Sequence, residues 1–382
     1  MRDRGTEPPG ATDDADPPSR TVTKPLLIAL SGAVEDFALA PSTDRPMTAV
    51  AMFQRAGYLA PQLGTWARIA DACGDGAVVA VAGDPPPQLP SGLGCVPLSD
   101  GEPAAREWSV TVLTPRSGAT VVAHDLEAVD GAARTLERGR LFTARWSFRH
   151  GDAHAELLRL RRELGPRLGP RTAAALDDVL ARVVPAAGTA TDHRHHAATD
   201  RLARYVSVER RRADAALSRL DQLEPGAERD PRSGLPTRAF LDRWLHGSMS
   251  GTLPLGLVLL RVHGLGTVNR QHGFRAETAV LHGVARLLGG HTGAAGRAVR
   301  IGREEFLLVL PGLDVRTLAT AARRLCEAVA GLSSAFPFVP TPCHAVITRT
   351  RCRPLPLDSM WAALDAAGQD TGVTLLRRSP GR

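Results

Sequence analysis

Arg300-Ile301-Gly302-Arg303-Glu304-Glu305-Phe306-Leu307-Leu308-Val309-Leu310-Pro311 reads as strand, two-residue turn, strand. Glycine at the first central position of the turn suits a type II′ hairpin, and the flanks are apolar. The tip carries two adjacent carboxylates, Glu304 and Glu305. Paired acids at a hairpin tip can hold a divalent cation together with a nucleotide.

The segments on either side build a domain around this hairpin. Leu255–Val262 is a continuous apolar run, the signature of a central strand. A helix is predicted over Arg238–His246 and another over Ala276–Leu288, with Val280, Leu281, Val284, Leu287 and Leu288 inward. Helix Val315–Ala330, strand Ala345–Thr348, helix Ser359–Ala367 and strand Val373–Leu376 follow. The expected class is α/β (α+β), a sheet with helices packed on it.

Three motifs in this order resemble the GGDEF domain of diguanylate cyclases, across 227–382. The family's opening D-x-L-T-G-L-x-N-R stands here as Asp230-Pro231-Arg232-Ser233-Gly234-Leu235-Pro236-Thr237-Arg238. Its first-strand motif, D-I-D-x-F-K-x-x-N-D-x-x-G-H, stands as Arg261-Val262-His263-Gly264-Leu265-Gly266-Thr267-Val268-Asn269-Arg270-Gln271-His272-Gly273-Phe274. The signature hairpin keeps Gly302, Glu304, Glu305 and Phe306, with Arg303 in place of the second glycine. The resemblance implies a nucleotide-cyclase-like fold.

It also implies a chemistry that this sequence departs from. Family members hold two Mg2+ ions between the first acid of the strand motif and the hairpin, which here are Arg261 and Glu304. Arginine is a permanent cation with donors only, so it excludes a metal ion. Guanine recognition in the family uses the retained Asn269 and an acid that falls at Thr278, whose hydroxyl lacks paired acceptors. The late motif A-L-Y-x-A-K-x-x-G-R-N reads Ala363-Leu364-Asp365-Ala366-Ala367-Gly368-Gln369-Asp370-Thr371-Gly372-Val373, without its Lys and Arg. Arg303 fills space where glycine lets a nucleotide approach the backbone. The inhibitory R-x-x-D site would fall at Gly293 and Gly296. Functional positions are lost while framework positions stay, so a retained scaffold without cyclase activity is expected. Arg261 is expected to pair with Glu304 or Glu305; the variant is that Arg261 and Arg303 hold a nucleotide phosphate without metal.

Upstream, 165–226 reads as a helical connection. Leu202, Val206, Ala213, Ala216, Leu220 and Leu223 alternate by four and three around a polar Glu209, a short coiled-coil seam. A parallel homodimer through 202–223 is one use of it, and a single amphipathic helix packed on its own domain is the other.

The first unit, 23–164, predicts a helix with Leu26, Leu27, Leu30, Val34 and Phe37 on one face. Helices over Met47–Gln54 and Gln62–Ala72 follow, then strands Ala77–Ala82, Trp108–Leu113 and Thr120–Asp125. Leu30-Ser31 with Glu35, Phe53-Gln54, Glu107-Trp108, Glu127 with Glu137 in a helical stretch, and Trp146-Ser147-Phe148 resemble the DICT sensory domain. That resemblance implies an input domain and no particular ligand. Trp66, Trp108 and Trp146 read as core packing, with a ligand box as the alternative.

Composition narrows the function classes. The net charge of +7 rests on dispersed arginine, with Lys24 the sole lysine, which argues against a nucleic-acid partner. Five cysteines, Cys73, Cys95, Cys326, Cys343 and Cys352, form no C-x-x-C, so neither a disulfide framework nor a zinc ribbon is expected. Asp192-His193-Arg194-His195-His196 lacks neighbouring ligand residues and reads as an exposed linker. No apolar run spans a bilayer. Residues 1–22, rich in Pro, Asp and Gly, read as a disordered tail without a leader h-region, so the cytoplasm is expected. The whole reads as a signalling protein without a cofactor, working through a dimer or another signalling protein. The alternatives are a GTP or cyclic di-GMP effector, and a cyclase that needs Mg2+.

Overall fold

The computed structural model describes residues 19–83, 88–183, 190–223, 228–337, 339 and 341–376. The N-terminal unit begins β1 (Arg20–Thr23), α1 (Lys24–Leu39), β2 (Thr48–Phe53), α2 (Ala56–Leu59), α3 (Leu63–Cys73). It continues β3 (Ala77–Ala82), β4 (Leu93–Leu98), β5 (Glu107–Leu113), β6 (Gly118–Val129), α4 (Leu136–Gly139), β7 (Arg140–Ser147), α5 (His150–Leu164), α6 (Pro170–Ala181). One sheet, in the order β1-β7-β6-β5-β2-β3-β4, is the middle layer. Ala49, Ala51 and Phe53 of β2 meet Leu27 of α1 with Trp66 and Ile69 of α3. Val50 and Met52 meet Leu157 and Leu160 of α5 with Leu176 and Val179 of α6. Successive β2 side chains thus enter opposite cores, as the strand period of two requires.

Several expectations change here. Met47–Gln54, read as a helix, is the strand β2, buried throughout between parallel β3 and antiparallel β5. A short apolar run covered on both faces has no periodicity to separate strand from helix. The tail read over 1–22 ends sooner, because Arg20–Thr23 pairs with β7; residues 1–18 lie outside the described residues. Glu127 to Glu137 is the end of β6, a turn and one-turn α4 rather than a helical stretch. Within it Glu127 holds a left-handed φ of 51°. The unit also runs past Leu164, since α6, read as linker, is part of its core.

A long helix, α7 (Ala190–Leu223), follows. The histidine tract read as linker opens it. Ala203 and Val206 pack into the N-terminal core, and Asp200 and Asp214 pair with Arg20 and Arg138. The seam is therefore split: Val206 faces its own unit, while Leu202 is 65% exposed. The Leu220 and Leu223 side chains lie outside the described residues.

The C-terminal unit runs α8 (Arg238–Trp244), β8 (Leu255–Val262), α9 (Leu265–Thr292), β9 (Arg297–Arg300), β10 (Glu305–Pro311). It ends α10 (Val315–Ala330), β11 (Cys343–Thr350), α11 (Leu357–Ala367), β12 (Gly372–Leu375). The sheet order is β12-β11-β8-β10-β9, with β8 antiparallel to both neighbours. Val258 and Leu260 meet α9 and α10 at Val280, Val284, Leu318 and Ala322. Leu257 and Leu259 meet α8 and α11 at Leu241, Trp244, Met360 and Leu364. The helix expected over 276–288 reaches back to Leu265 across a break at Gly273 (φ 79°, ψ 171°). Its first part is polar at Asn269-Arg270-Gln271-His272, which hides it from an apolar pattern.

The two units share a closely fitted interface. Val129 and Leu136 enter the C-terminal core beside Leu241 and Trp244. Arg55 Nη2 donates to the Gly251 carbonyl at 2.7 Å, and Arg351 pairs with Glu127. A Cβ on Gly131 would stand 2.0 Å from the Ala294 oxygen, and one on Gly312 2.4 Å from the Glu127 oxygen. Glycine at these two positions lets the backbones of the two units touch.

Candidate functional site at the hairpin

Antiparallel pairing of β10 with β8 sets Glu305 opposite Arg261. Arg261 Nε donates to Glu305 Oε1 at 2.9 Å, and Nη2 donates to Asp365 Oδ1 of α11 at 2.8 Å. The guanidinium lies 5.8 Å from the centre of the Trp361 ring. Burial works against its charge, but the hydrogen bonds it donates to Asp365 and Glu305 outweigh burial and hold its pKa above the ordinary value.

The loop departs from the two-residue turn. β9 ends at Arg300 and β10 starts at Glu305, and the Ile301 and Gly302 N–H groups both donate to the Glu305 carbonyl. Gly302 is not in the left-handed region, so the turn is not type II′. Glycine is required there by contact instead: a Cβ would stand 2.2 Å from Glu305 Oε2. Arg300 clamps the loop, donating to the Gly302 and Arg303 carbonyls at 3.1 and 2.7 Å. Its remaining Nη1 reaches Asp230 Oδ1 at 2.7 Å, tying the hairpin to the opening motif. Burial alone would raise the Asp230 pKa, but bonds from Ser233 and Arg300 hold it below the usual carboxylate range.

Glu304 turns toward α9, where its Oε1 accepts the Gly266 N–H at 2.6 Å. That N–H belongs to the first turn, whose donors lack helical partners and suit a phosphate. Arg303 Nη2 donates to the Gly266 carbonyl at 3.3 Å. The hairpin's own side chains thus occupy the turn between β8 and α9. Asn269 is half-buried just before the break in α9. Thr278 lies beyond the break, and among the described residues its buried hydroxyl has no hydrogen-bond partner. Beside it, Glu277 is 1% exposed and pairs with Arg232 at 3.2 Å. Gly293 and Gly296 lie in the connection after α9.

The structure thus brings Arg261, Arg303, Glu304, Glu305 and Gly302 together, with Asn269 and Thr278 along α9. Two members went unread in the sequence, Asp365 and Arg300. Asp365 had a signal, since it replaces the tyrosine of the late motif opposite an acid-to-arginine change. Mg2+ requires oxygen ligands, and the position facing Glu305 offers guanidinium donors instead, so these residues do not fit the metal pair. Among the described residues, no group of three or more His, Cys, Asp or Glu could hold a metal ion.

The N-terminal unit holds a second charged cluster, deep in its interior. Arg140 is fully buried, pairs with Asp125, and donates to Tyr58 Oη and Gln54 Oε1, both at 2.8 Å. Lys24 pairs with Glu137 and lies 3.6 Å from the centre of the Tyr58 ring. Burial lowers the Lys24 pKa to about 8, with Glu137 opposing. Glu35, which accepts the Trp66 indole N–H at 3.2 Å, is raised to about 7 by burial.

Residues 11–126 match the family model for DICT, a sensory domain in diguanylate cyclases and two-component systems. Residues 227–345 match the model for the diguanylate cyclase GGDEF domain. Among solved structures, diguanylate cyclase SiaD from Pseudomonas aeruginosa, in complex with its activator SiaC, is 20% identical with a TM-score of 0.34. That match covers 59% of this chain and 87% of SiaD. The GGDEF domain of DgcB from Caulobacter crescentus, in complex with c-di-GMP, is 19% identical with a TM-score of 0.33, covering 40% and 97%. The FimX GGDEF domain from Pseudomonas aeruginosa is 16% identical with a TM-score of 0.33, covering 40% and 100%. No curated protein matches. Among the described residues, no helix is long and apolar enough to cross a membrane.

Proposed function

We propose, from a chain that joins a DICT match to a GGDEF match, a cytoplasmic protein of cyclic di-GMP signalling whose GGDEF unit makes no cyclic di-GMP. The DICT unit takes the input, and the GGDEF unit passes it on by contact with a second copy or another signalling protein. The observation that carries this reading is the Arg261 guanidinium held between Glu305 and Asp365. A fixed cation stands where phosphoryl-transfer chemistry needs metal ligands. Glu304 on the Gly266 amide and Arg303 on the Gly266 carbonyl support the same reading, because groups that would face a triphosphate already have internal partners. On α7, Leu202 and Tyr205 are 65% and 64% exposed, three residues apart on one face, which supports a homodimer within 202–223.

The test is calorimetry of the full chain with GTP and with cyclic di-GMP, with and without Mg2+, followed by product detection. The expected result is no product. Mg2+-dependent cyclic di-GMP formation that is lost in Glu305→Ala would overturn the reading. A second reading, a nucleotide-binding effector, is favoured by the unpartnered Thr278 hydroxyl. Saturable binding without turnover, weakened by Asn269→Ala, would select it.

A further inference from the structure

Two thiols meet in the core of the C-terminal unit, and the periods of two elements bring them there. On α10, Leu318, Ala322, Leu325, Cys326 and Val329 recur at helical spacing and are buried against the sheet. On β11, Cys343, Ala345 and Ile347 alternate into the same core. Cys326 and Cys343 stand 17 residues apart in the chain, and both are free cysteines. The Cys343 thiol donates to the Cys326 carbonyl at 3.6 Å, and it also hydrogen-bonds the Cys326 sulfur.

The two sulfurs are unlike. The hydrogen bond between them lowers the pKa of Cys326 and raises that of Cys343, so Cys343 is the donor and Cys326 carries the thiolate character. Cys326 is also the outer of the two, 9% exposed against 3%. Its sulfur lies 3.7 Å from the Gly372 carbonyl at the start of β12, an edge strand whose four residues are half-buried or exposed. A small oxidant therefore meets Cys326 first, from the edge of the sheet. In the N-terminal unit, by contrast, burial pushes the Cys73 thiol up to about 12, with Arg45 opposing, and raises Cys95.

We infer that Cys326 and Cys343 form an oxidative modification site, a dithiol that hydrogen peroxide converts to a disulfide. The Cys326 thiolate attacks one peroxide oxygen. An S–O bond forms, the O–O bond breaks and hydroxide leaves, so Cys326 becomes a sulfenic acid. The Cys343 sulfur then attacks the oxidised sulfur. The S–S bond forms, the S–O bond breaks, and the departing oxygen takes the Cys343 proton and leaves as water. Two electrons pass from the sulfurs to the peroxide. Disulfides of this transient kind are the ones found where thiols are otherwise kept reduced. The bond staples α10 to β11, whose Cys343 stands opposite Val262, the neighbour of Arg261. No residue of the hairpin site takes part, so the pair is independent of whether the unit makes cyclic di-GMP.

The test treats the full chain with hydrogen peroxide, alkylates the remaining thiols and maps the cysteines by mass spectrometry. Cleavage after Glu327 and Arg349 puts Cys326, Cys343 and Cys352 on three peptides, so their links are told apart. A Cys326–Cys343 link is expected, with both thiols restored by dithiothreitol. Cys326 should be consumed at least about tenfold faster than Cys73 or Cys95. In Cys343→Ala, Cys326 should stop at the sulfenic acid and be captured by dimedone; in Cys326→Ala, Cys343 should stay reduced. The linked peptides of the parent need no substitution, so the test stands even where a variant folds poorly. Cys326 and Cys343 both left reduced at a peroxide dose that oxidises Cys352 would overturn the inference. So would a link from either of them to Cys352, or Cys343 oxidised as fast in Cys326→Ala as in the parent.

Discussion

The hairpin site and the interior cluster of the N-terminal unit both set arginine against two carboxylates, and they differ in how much water reaches them. At the hairpin, Arg261 and Glu305 are partly buried, but Asp365 is 65% exposed. In the interior, Arg140 has no exposed side-chain surface and its partner Asp125 has 5%. Solvated pairs contribute little to stability, whereas breaking a buried pair leaves a charge without compensation. The interior cluster is therefore bound up with folding of its unit. The hairpin pair instead decides what that site can bind, at small energetic consequence.

The comparison breaks most visibly at Arg140. Arg140→Ala should destabilise the N-terminal unit by about 3–5 kcal/mol, because Asp125 would stay buried without its cationic partner while Glu137 keeps Lys24. Chemical denaturation of the full chain checks it, and a loss under about 1 kcal/mol would put Arg140 in the same class as an exposed pair.

Next is the pH dependence of the same unit. Burial raises Glu35 from the ordinary carboxylate value to about 7, so the folded state binds the proton more tightly than the unfolded chain. Stability is then greatest below the unfolded pKa and falls as pH rises from about 4.5 through 7, by on the order of 3 kcal/mol in the limit. Glu35→Gln should flatten this slope in melting curves taken between those values. Asp230 works in the opposite direction at the hairpin: its pKa is lowered, so its contribution is present above the ordinary carboxylate range and fades as pH falls through the folded value.

Arg261→Ala should cost about 1 kcal/mol or slightly more, since Glu305 also accepts the Glu304 N–H at 3.2 Å and stays near solvent. Arg261→Asp sharpens the point: with Arg303 and the altered late motif still present, it should bind Mg2+ without making cyclic di-GMP. Asp365→Ala is the smallest effect, below about 1 kcal/mol, because its carboxylate is mostly in water. A larger loss would mean that Asp365, and not Glu305, anchors Arg261.

Much of the C-terminal unit was legible in the residues. The strand Leu255–Val262 and the helix Val315–Ala330 stand where the apolar pattern put them. Long elements with one regular period carry their own signal. The pairing of Arg261 with a hairpin carboxylate followed from one charge exchange against a retained acid. The N-terminal unit was less legible, because β2 is buried on both faces and β1 and β4 lack a distinctive period. The type II′ turn was wrong for a physical reason: Gly302 is needed for its missing Cβ and not for its backbone angle.

By itself the sequence determined the hairpin, the apolar run of the central strand β8, and the exchange of an acid for Arg261. These depend on neighbours a few residues away or on the chemistry of one side chain. Only the tertiary structure decided that Asp365 shares Arg261 and that Arg140 gathers Asp125, Gln54, Tyr58 and Glu137. Such groupings join residues far apart in the chain, and their partners are set by how the layers stack, which no local period records.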